Sequence, residues 1–141
     1  MGSSGAVMKL LLDTHILLWS LLEPERLTKE VSAELENSDN ELWLSPISTW
    51  EIIILAEKGR IVLDAEPALW VREVLKTIAF REAPVNHEVA ILSRAINLAQ
   101  EDPADRFLVA TAIVYNLTLV TADRRLIASQ SCSVLPNESK G

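Results

Sequence analysis

Four acidic residues mark the seams of this chain. Asp13, Glu51, Asp105 and Asp123 each lie where a short apolar run meets a helix, in KLLLDTHILLW, LSPISTWEIII, EDPADRFLVATA and LTLVTADRRL. Apolar runs of four or five residues bounded by turn signals read as buried strands, and the stretches between them carry helical periodicity. Strands alternating with helices dictate an α/β domain with a mostly parallel sheet, because successive parallel strands need a crossover between them. In an open parallel sheet the junctions after the strands gather at one edge, outside the carboxyl ends, where ligands bind. Acids gathered there repel: at ~5 Å and an effective dielectric of ~20 each pair costs roughly 3 kcal/mol. The pattern therefore predicts an all-carboxylate metal site.

Strands are expected over residues 9–12, 41–44, 80–85, 117–121 and 132–135, and helices over 14–22, 28–37, 46–58, 66–79, 86–98, 102–116 and 124–129. Ser45-Pro46 and Asp102-Pro103 carry the cap-then-proline start, Asn86 and Asp123 are further caps, and Gly59 ends the third helix. Leu69, Val71, Val74, Leu75 and Ile78 are the core candidates of the fourth. One domain is expected over 8–136, with a polar tail over 137–141; residues 1–7 read as a leader added ahead of a natural start at Met8.

Two of the acids converge by arithmetic. From Asp105 the helix descends roughly 17 Å at 1.5 Å per residue, and the strand from Leu117 to Asp123 climbs back roughly 20 Å at about 3.3 Å per residue. Asp13 ends the first strand at that same edge. Glu51 lies one to two turns into its helix, and its side chain leans back toward the helix N-terminus. Taken singly, each acid also fits a local role: Asp13 and Asp123 as caps, Asp105 in a first turn where the macrodipole favours it, Glu51 in a capping box with Ser48. Jointly that account is weaker. Ser45-Pro46 already starts the third helix, which leaves Glu51 a lone acid among Ile47, Trp50, Ile52, Ile53, Ile54 and Leu55, a costly placement unless something pairs it.

The 141 residues suit one compact domain, and with 49% hydrophobic residues core material is plentiful. A single cysteine, Cys132, excludes an internal disulfide and any multi-cysteine zinc or iron–sulfur site, and two histidines leave little for zinc. Cys132 is expected in the core and His15 in a structural role. A metal held here takes oxygen ligands, which points to Mg²⁺ or Mn²⁺. No apolar stretch approaches the ~20 residues of a membrane span, so a cytoplasmic location without membrane contact is expected. The net charge of −7 argues against nucleic-acid binding through a broad basic face, although a local patch can still hold phosphates.

These segments resemble the PIN domain, and specifically the VapC toxins of type II toxin–antitoxin systems, from Met8 to about Pro136. LLDTHILLW resembles the family's opening strand and first metal ligand, STWEI its second acidic motif with Lys58-Gly59-Arg60 after it, DPADR with Leu108, Ala110 and Ala112 the third, and LVTADR the fourth. Each motif alone is weak; the four in order are specific. The resemblance implies a three-layer α/β/α domain with a mostly parallel central sheet of about five strands. It also implies a metal-dependent endoribonuclease, a homodimer, and a cognate antitoxin that blocks the site. Asp13, Glu51 and Asp105 would hold one or two Mg²⁺ or Mn²⁺ ions, with Asp123 completing the set directly or through water.

Arg106, Arg124 and Arg125 flank the acids and are candidates for gripping phosphates, against a solvated or salt-bridged role. Thr14, Ser48 and Thr121 are candidates for orienting ligands or water, against ordinary capping. Trp19, Trp43, Trp50 and Trp70 could stack bases, but Trp19 and Trp50 sit in apolar surroundings that favour the core. Residues 52–55 cover more than one helix face, which suggests a dimer contact or partner groove. Two other enzyme classes fit less well. A haloacid-dehalogenase-type phosphatase needs a second Asp two residues after the first, where His15 stands, and a receiver domain needs an acidic pair and a late lysine. A catalytically inactive PIN-like module that binds RNA or protein is the non-enzymatic alternative.

Overall fold

The computed structural model describes residues 7–138, so the reading of residues 1–7 as an added leader lies almost wholly outside the described residues, as does most of the 137–141 tail. Five strands, β1 (Lys9–Leu12), β2 (Glu41–Leu44), β3 (Arg81–Glu82), β4 (Thr118–Thr121) and β5 (Val134–Pro136), form one sheet in the order β3-β2-β1-β4-β5. Every pairing is parallel. The chain steps outward from β1 to β3, then returns to the far side of β1 for β4 and β5. The strand order thus reverses between β1 and β4, the switch point at which open α/β sheets bind ligands.

Among the described residues seven helices cover the sheet: α1 (Thr14–Leu22), α2 (Lys29–Glu36), α3 (Pro46–Glu57), α4 (Pro67–Thr77), α5 (His87–Ala95), α6 (Pro103–Val114) and α7 (Arg124–Ser129). Side chains alternate across each strand, and two cores follow. Leu10, Leu12 and Val120 face a cluster with Ile16 and Leu17 of α1, Val31 of α2, Ile52 of α3 and Val71 of α4. Leu11 and Leu119 face the other side, against Leu108, Val109 and Ala112 of α6 and Leu126 of α7. The three-layer α/β/α expectation is met. No helix among the described residues is long and apolar enough to cross a membrane.

The structure departs from the sequence reading in several places. The 80–85 strand shrinks to two residues at the sheet edge. Residues 24–26 form a 3-10 turn after α1 that was not expected. The fifth helix stops at Ala95 rather than 98, and the last strand runs 134–136 rather than 132–135. Asn137, assigned to the tail, is instead docked: its side chain accepts from Thr28 N–H (2.7 Å) and donates to the Arg26 carbonyl (3.0 Å). Leu69 and Leu75 are exposed, because the buried face of α4 runs through Val71 and Val74 and they project off it. Trp50 is 54% exposed for the same reason: the buried positions of α3 are Ser48 and Ile52, and residue 50 lies on the opposite side. Trp19 does pack on the core, with the Arg26 guanidinium 4.2 Å above its ring.

Candidate metal centre

Strand register brings Asp13 and Asp123 to one level. Leu12 aligns with Val120, and the Asp13 N–H donates to the Val120 carbonyl (3.0 Å), so β1 and β4 end side by side. Asp13 occupies the N-cap position of α1 but makes no side-chain cap bond. Its carboxylate instead accepts from Thr121 Oγ1 (2.7 Å), and the same hydroxyl accepts from the Asp123 N–H (3.1 Å). Thr121 thus fastens the two junctions together. Asp123 is a cap after all, accepting from the N–H groups of Arg125 (2.9 Å) and Leu126 (3.4 Å).

Glu51 has no capping duty, since Ser45 caps α3 by accepting from Ile47 N–H. Its Oε1 accepts from Thr14 Oγ1 (2.5 Å), and Ser48 Oγ lies 3.0 Å from that hydroxyl. Thr14 and Ser48 are fully buried, so this polar contact is made inside the core, where an unpaired carboxylate would be costly. The tie joins α3 to the first residue after Asp13. Asp105 stands in the first turn of α6, with Asp102 as the cap accepting from Ala104 N–H (2.9 Å). Arg125 closes the chain of contacts: its Nη2 lies 3.3 Å from Asp123 and 3.9 Å from Asp105. Glu51, Thr14, Asp13, Thr121, Asp123, Arg125 and Asp105 are therefore linked in unbroken succession along the carboxyl edge of β1 and β4.

The electrostatics match. Burial raises the Asp105 carboxyl, and the neighbouring charges of Asp102, Asp13, Asp123 and Glu51 add to it, to about 7. Burial is also the largest cause of the upward shift at Asp13, against which the Thr121 hydrogen bond works. Glu51 is raised by burial as well, opposed by Thr14. Asp123 alone is lowered: the hydrogen bonds from Arg125 and the α7 amides outweigh its burial. Among the described residues no three of the acids stand at direct-ligand spacing for one ion. Asp13 is tied to Thr121 and Glu51 to Thr14, while Asp123 and Asp105 share Arg125. The donor set is nevertheless all oxygen, and among the described residues Arg125 is the cation paired with it. That fits a hard divalent ion that keeps several waters and takes few direct carboxylates.

The other candidate residues separate cleanly. Arg106 does not reach the site. It is 5% exposed, and its five N–H donors all go to backbone carbonyls: Nε to Ser93 (2.7 Å), Nη1 to Leu98 (2.7 Å) and Gln100 (3.0 Å), Nη2 to Ile96 (2.9 Å) and Arg94 (3.5 Å). It has nothing left for a phosphate, and its role is to cap the end of α5 and fix the following loop. Arg124 is exposed, and no ion pair holds it among the described residues. Arg125 is the arginine on the acids; its place at the second position of α7, where its own N–H meets the Asp123 cap, was the signal for it. Cys132 packs against the second core cluster, and burial pushes its thiol up to about 11, so it is no nucleophile near neutral pH. His15 is exposed beside Trp19, with ring centroids 6.0 Å apart.

A family model for the PIN domain matches residues 10–129. Ribonuclease VapC22 of Mycobacterium tuberculosis is 38% identical over 117 residues, covering 82% of this chain and 88% of that protein. Among solved structures, VapBC2 from Rickettsia felis, bound to a DNA fragment from its promoter, has a similar fold with a TM-score of 0.68 at 15% identity, covering 92% of this chain and 98% of that one. DNA-bound VapBC from Salmonella typhimurium matches with a TM-score of 0.68 at 19% identity, covering 92% and 98%. The four acidic motifs fall inside the matched span, at the sheet edge that the fold reserves for ligands, and the chain belongs to the PIN-domain family, among its VapC-type members.

Proposed function

We propose that this protein is a metal-dependent endoribonuclease toxin, held in check by a cognate antitoxin. The contact chain that ties four acids from four separate segments to the switch-point edge carries the reading. Asp13, Glu51, Asp105 and Asp123 would hold Mg²⁺ or Mn²⁺, directly or through water. When bound, such an ion lowers the pKa of a coordinated water and offsets charge on the attacked phosphate. The chain's own residues prepare the place. Thr121 fixes one oxygen of Asp13, Thr14 fixes one oxygen of Glu51, and Asp102 sets the first turn of α6 so that Asp105 points into the group of acids. Without an ion the Asp105 carboxyl, raised to about 7, is roughly half protonated near neutral pH. Arg125 offers a fork that binds phosphate oxygens in pairs.

The ribonuclease name of the 38%-identical relative supports RNA as substrate, and the VapBC complexes among the fold relatives support an antitoxin partner. Exposed Trp50, Val62 and Leu69 supply apolar surface for a second copy or for that partner. The test is cleavage of a structured RNA by the purified protein with Mg²⁺ or Mn²⁺ against EDTA, beside Asp105→Asn. Cleavage is expected with either ion, is lost in EDTA, and falls by at least about a hundredfold in the variant. Equal cleavage in EDTA would refute the metal mechanism.

A further inference from the structure

Beside the acids, between the α5–α6 connection and α7, lies a cleft of about 460 Å³ lined by Asn97, Leu98, Gln100, Arg125, Ala128 and Ser129. The volume falls within the usual range for small-molecule clefts. Three observations mark it as a built site. Its wall is clamped, because Arg106 holds the carbonyls of Leu98 and Gln100 from behind. Gln100 is only 7% exposed, and its Nε2 has no hydrogen-bond partner among the described residues. A buried donor left unpaired costs about 1–3 kcal/mol, and a ligand that turns this amide toward the cleft would recover it. Finally, Arg125 lines the cleft and also touches Asp123 and Asp105, so cleft and acids share a wall.

We propose that this cleft seats one nucleotide of the RNA next to the cleaved phosphate, with Arg125 on a phosphate and the amides of Gln100 and Asn97 on the base edge. The proposal rests on the nuclease reading above. A carboxamide presents a donor and an acceptor side by side, the pattern that a base edge complements. Asn97 is exposed and makes no side-chain hydrogen bond among the described residues, so its amide is available. Leu98 and Ala128 give apolar surface for the base faces. Arg125 is 70% exposed and holds its two acids at 3.3 and 3.9 Å. Such surface pairs are weak, so its guanidinium exchanges readily onto phosphate once the acids' charge is balanced otherwise.

The test titrates the whole protein with each of the four ribonucleoside 5′-monophosphates, in EDTA and in Mg²⁺, following the side-chain amide signals of Gln100 and Asn97 by NMR. Saturable shifts of both are expected, unequal among the four bases. The Kd should rise about tenfold in Arg125→Gln and in Asn97→Ala, as the loss of one good hydrogen bond implies. Gln100→Ala and Asn97→Ala should also flatten the base preference at one position beside the cut in a randomised RNA, while keeping the parent's rise in Tm with Mn²⁺. Asn97 is at the surface, so its replacement leaves folding intact. If no nucleotide moves these signals, or if the variants bind as the parent does, the cleft is not a nucleotide site. Nucleotide binding without RNA cleavage refutes the nuclease reading and leaves the nucleotide site standing. Cleavage with an unchanged base profile and no nucleotide binding refutes the cleft alone.

Discussion

Asp105 is strongly altered by its surroundings. Its carboxyl rises from an ordinary 3.8 to about 7, first through burial and then through four surrounding acids. The native state therefore holds a proton there that the unfolded chain has released, and without metal the protein loses stability as pH rises from about 4 to about 7. Asp105→Asn removes this loss. In EDTA the variant should be more stable than the parent at pH 8 by roughly 2 kcal/mol, and hardly different at pH 4, as thermal melts at the two pH values will show. Arg106 carries the opposite lesson. Its place after Asp105 leaves it open between gripping phosphate and a solvated or salt-bridged role, yet it is a buried hub. An ammonium cannot reach five carbonyls in a plane, so Arg106→Lys should cost about 3 kcal/mol in urea unfolding.

At the scale of elements, caps and helix ends do most of the positioning. Two helices end in the same left-handed turn. Gly59 (φ +70°) follows α3, with Arg60 N–H on the Leu55 carbonyl and Gly59 N–H on Ala56. Asn116 (φ +56°) follows α6, with Leu117 N–H on Ala112 and Asn116 N–H on Ile113. The first was legible, because glycine is the usual residue there. The second was not: Asn is a less specific signal, and the helix was read through to 116. A Cβ at residue 59 meets nothing within 4 Å, so Gly59→Ala should cost about 1 kcal/mol from backbone strain alone, measured by chemical denaturation. Asp123 caps α7 and is also a proposed metal ligand, and two variants separate the two roles. Asp123→Asn keeps a good cap and Asp123→Ala does not. The alanine variant should be about 1 kcal/mol less stable than the asparagine variant, while both lose RNA cleavage.

For the whole molecule, the proposed site would couple stability to ion binding. Mn²⁺ at a hundred times its Kd should stabilise the native state by about 2.7 kcal/mol. Calorimetric melts should show the rise in the parent and a smaller one in Asp13→Asn; equal rises in both would argue against a shared site. An open concavity of about 740 Å³ along α4, at Leu69, Trp70 and Leu75, is lined by none of the four acids. It belongs with the exposed apolar residues and not with the chemistry. Light scattering of the parent and of Trp50→Glu tests the dimer: a parent dimer that dissociates in the variant places the contact on the outer face of α3.

The sequence alone determined the α/β class, the parallel sheet, the ends of most elements and the four acids, because periodicity, caps and prolines act over a few residues and are written locally. It also fixed that Glu51 has no cap to make, since Ser45-Pro46 starts α3 without it. Tertiary structure decided which side chains meet. Thr121 joining Asp13 to Asp123, Thr14 holding Glu51, Arg125 and not Arg106 on the acids, Trp50 facing outward and Gln100 beside the cleft all depend on strand order, register and helix rotation. Those are settled by packing two cores against one sheet, between residues as far apart in the chain as Asp13 and Thr121, and no local pattern encodes them.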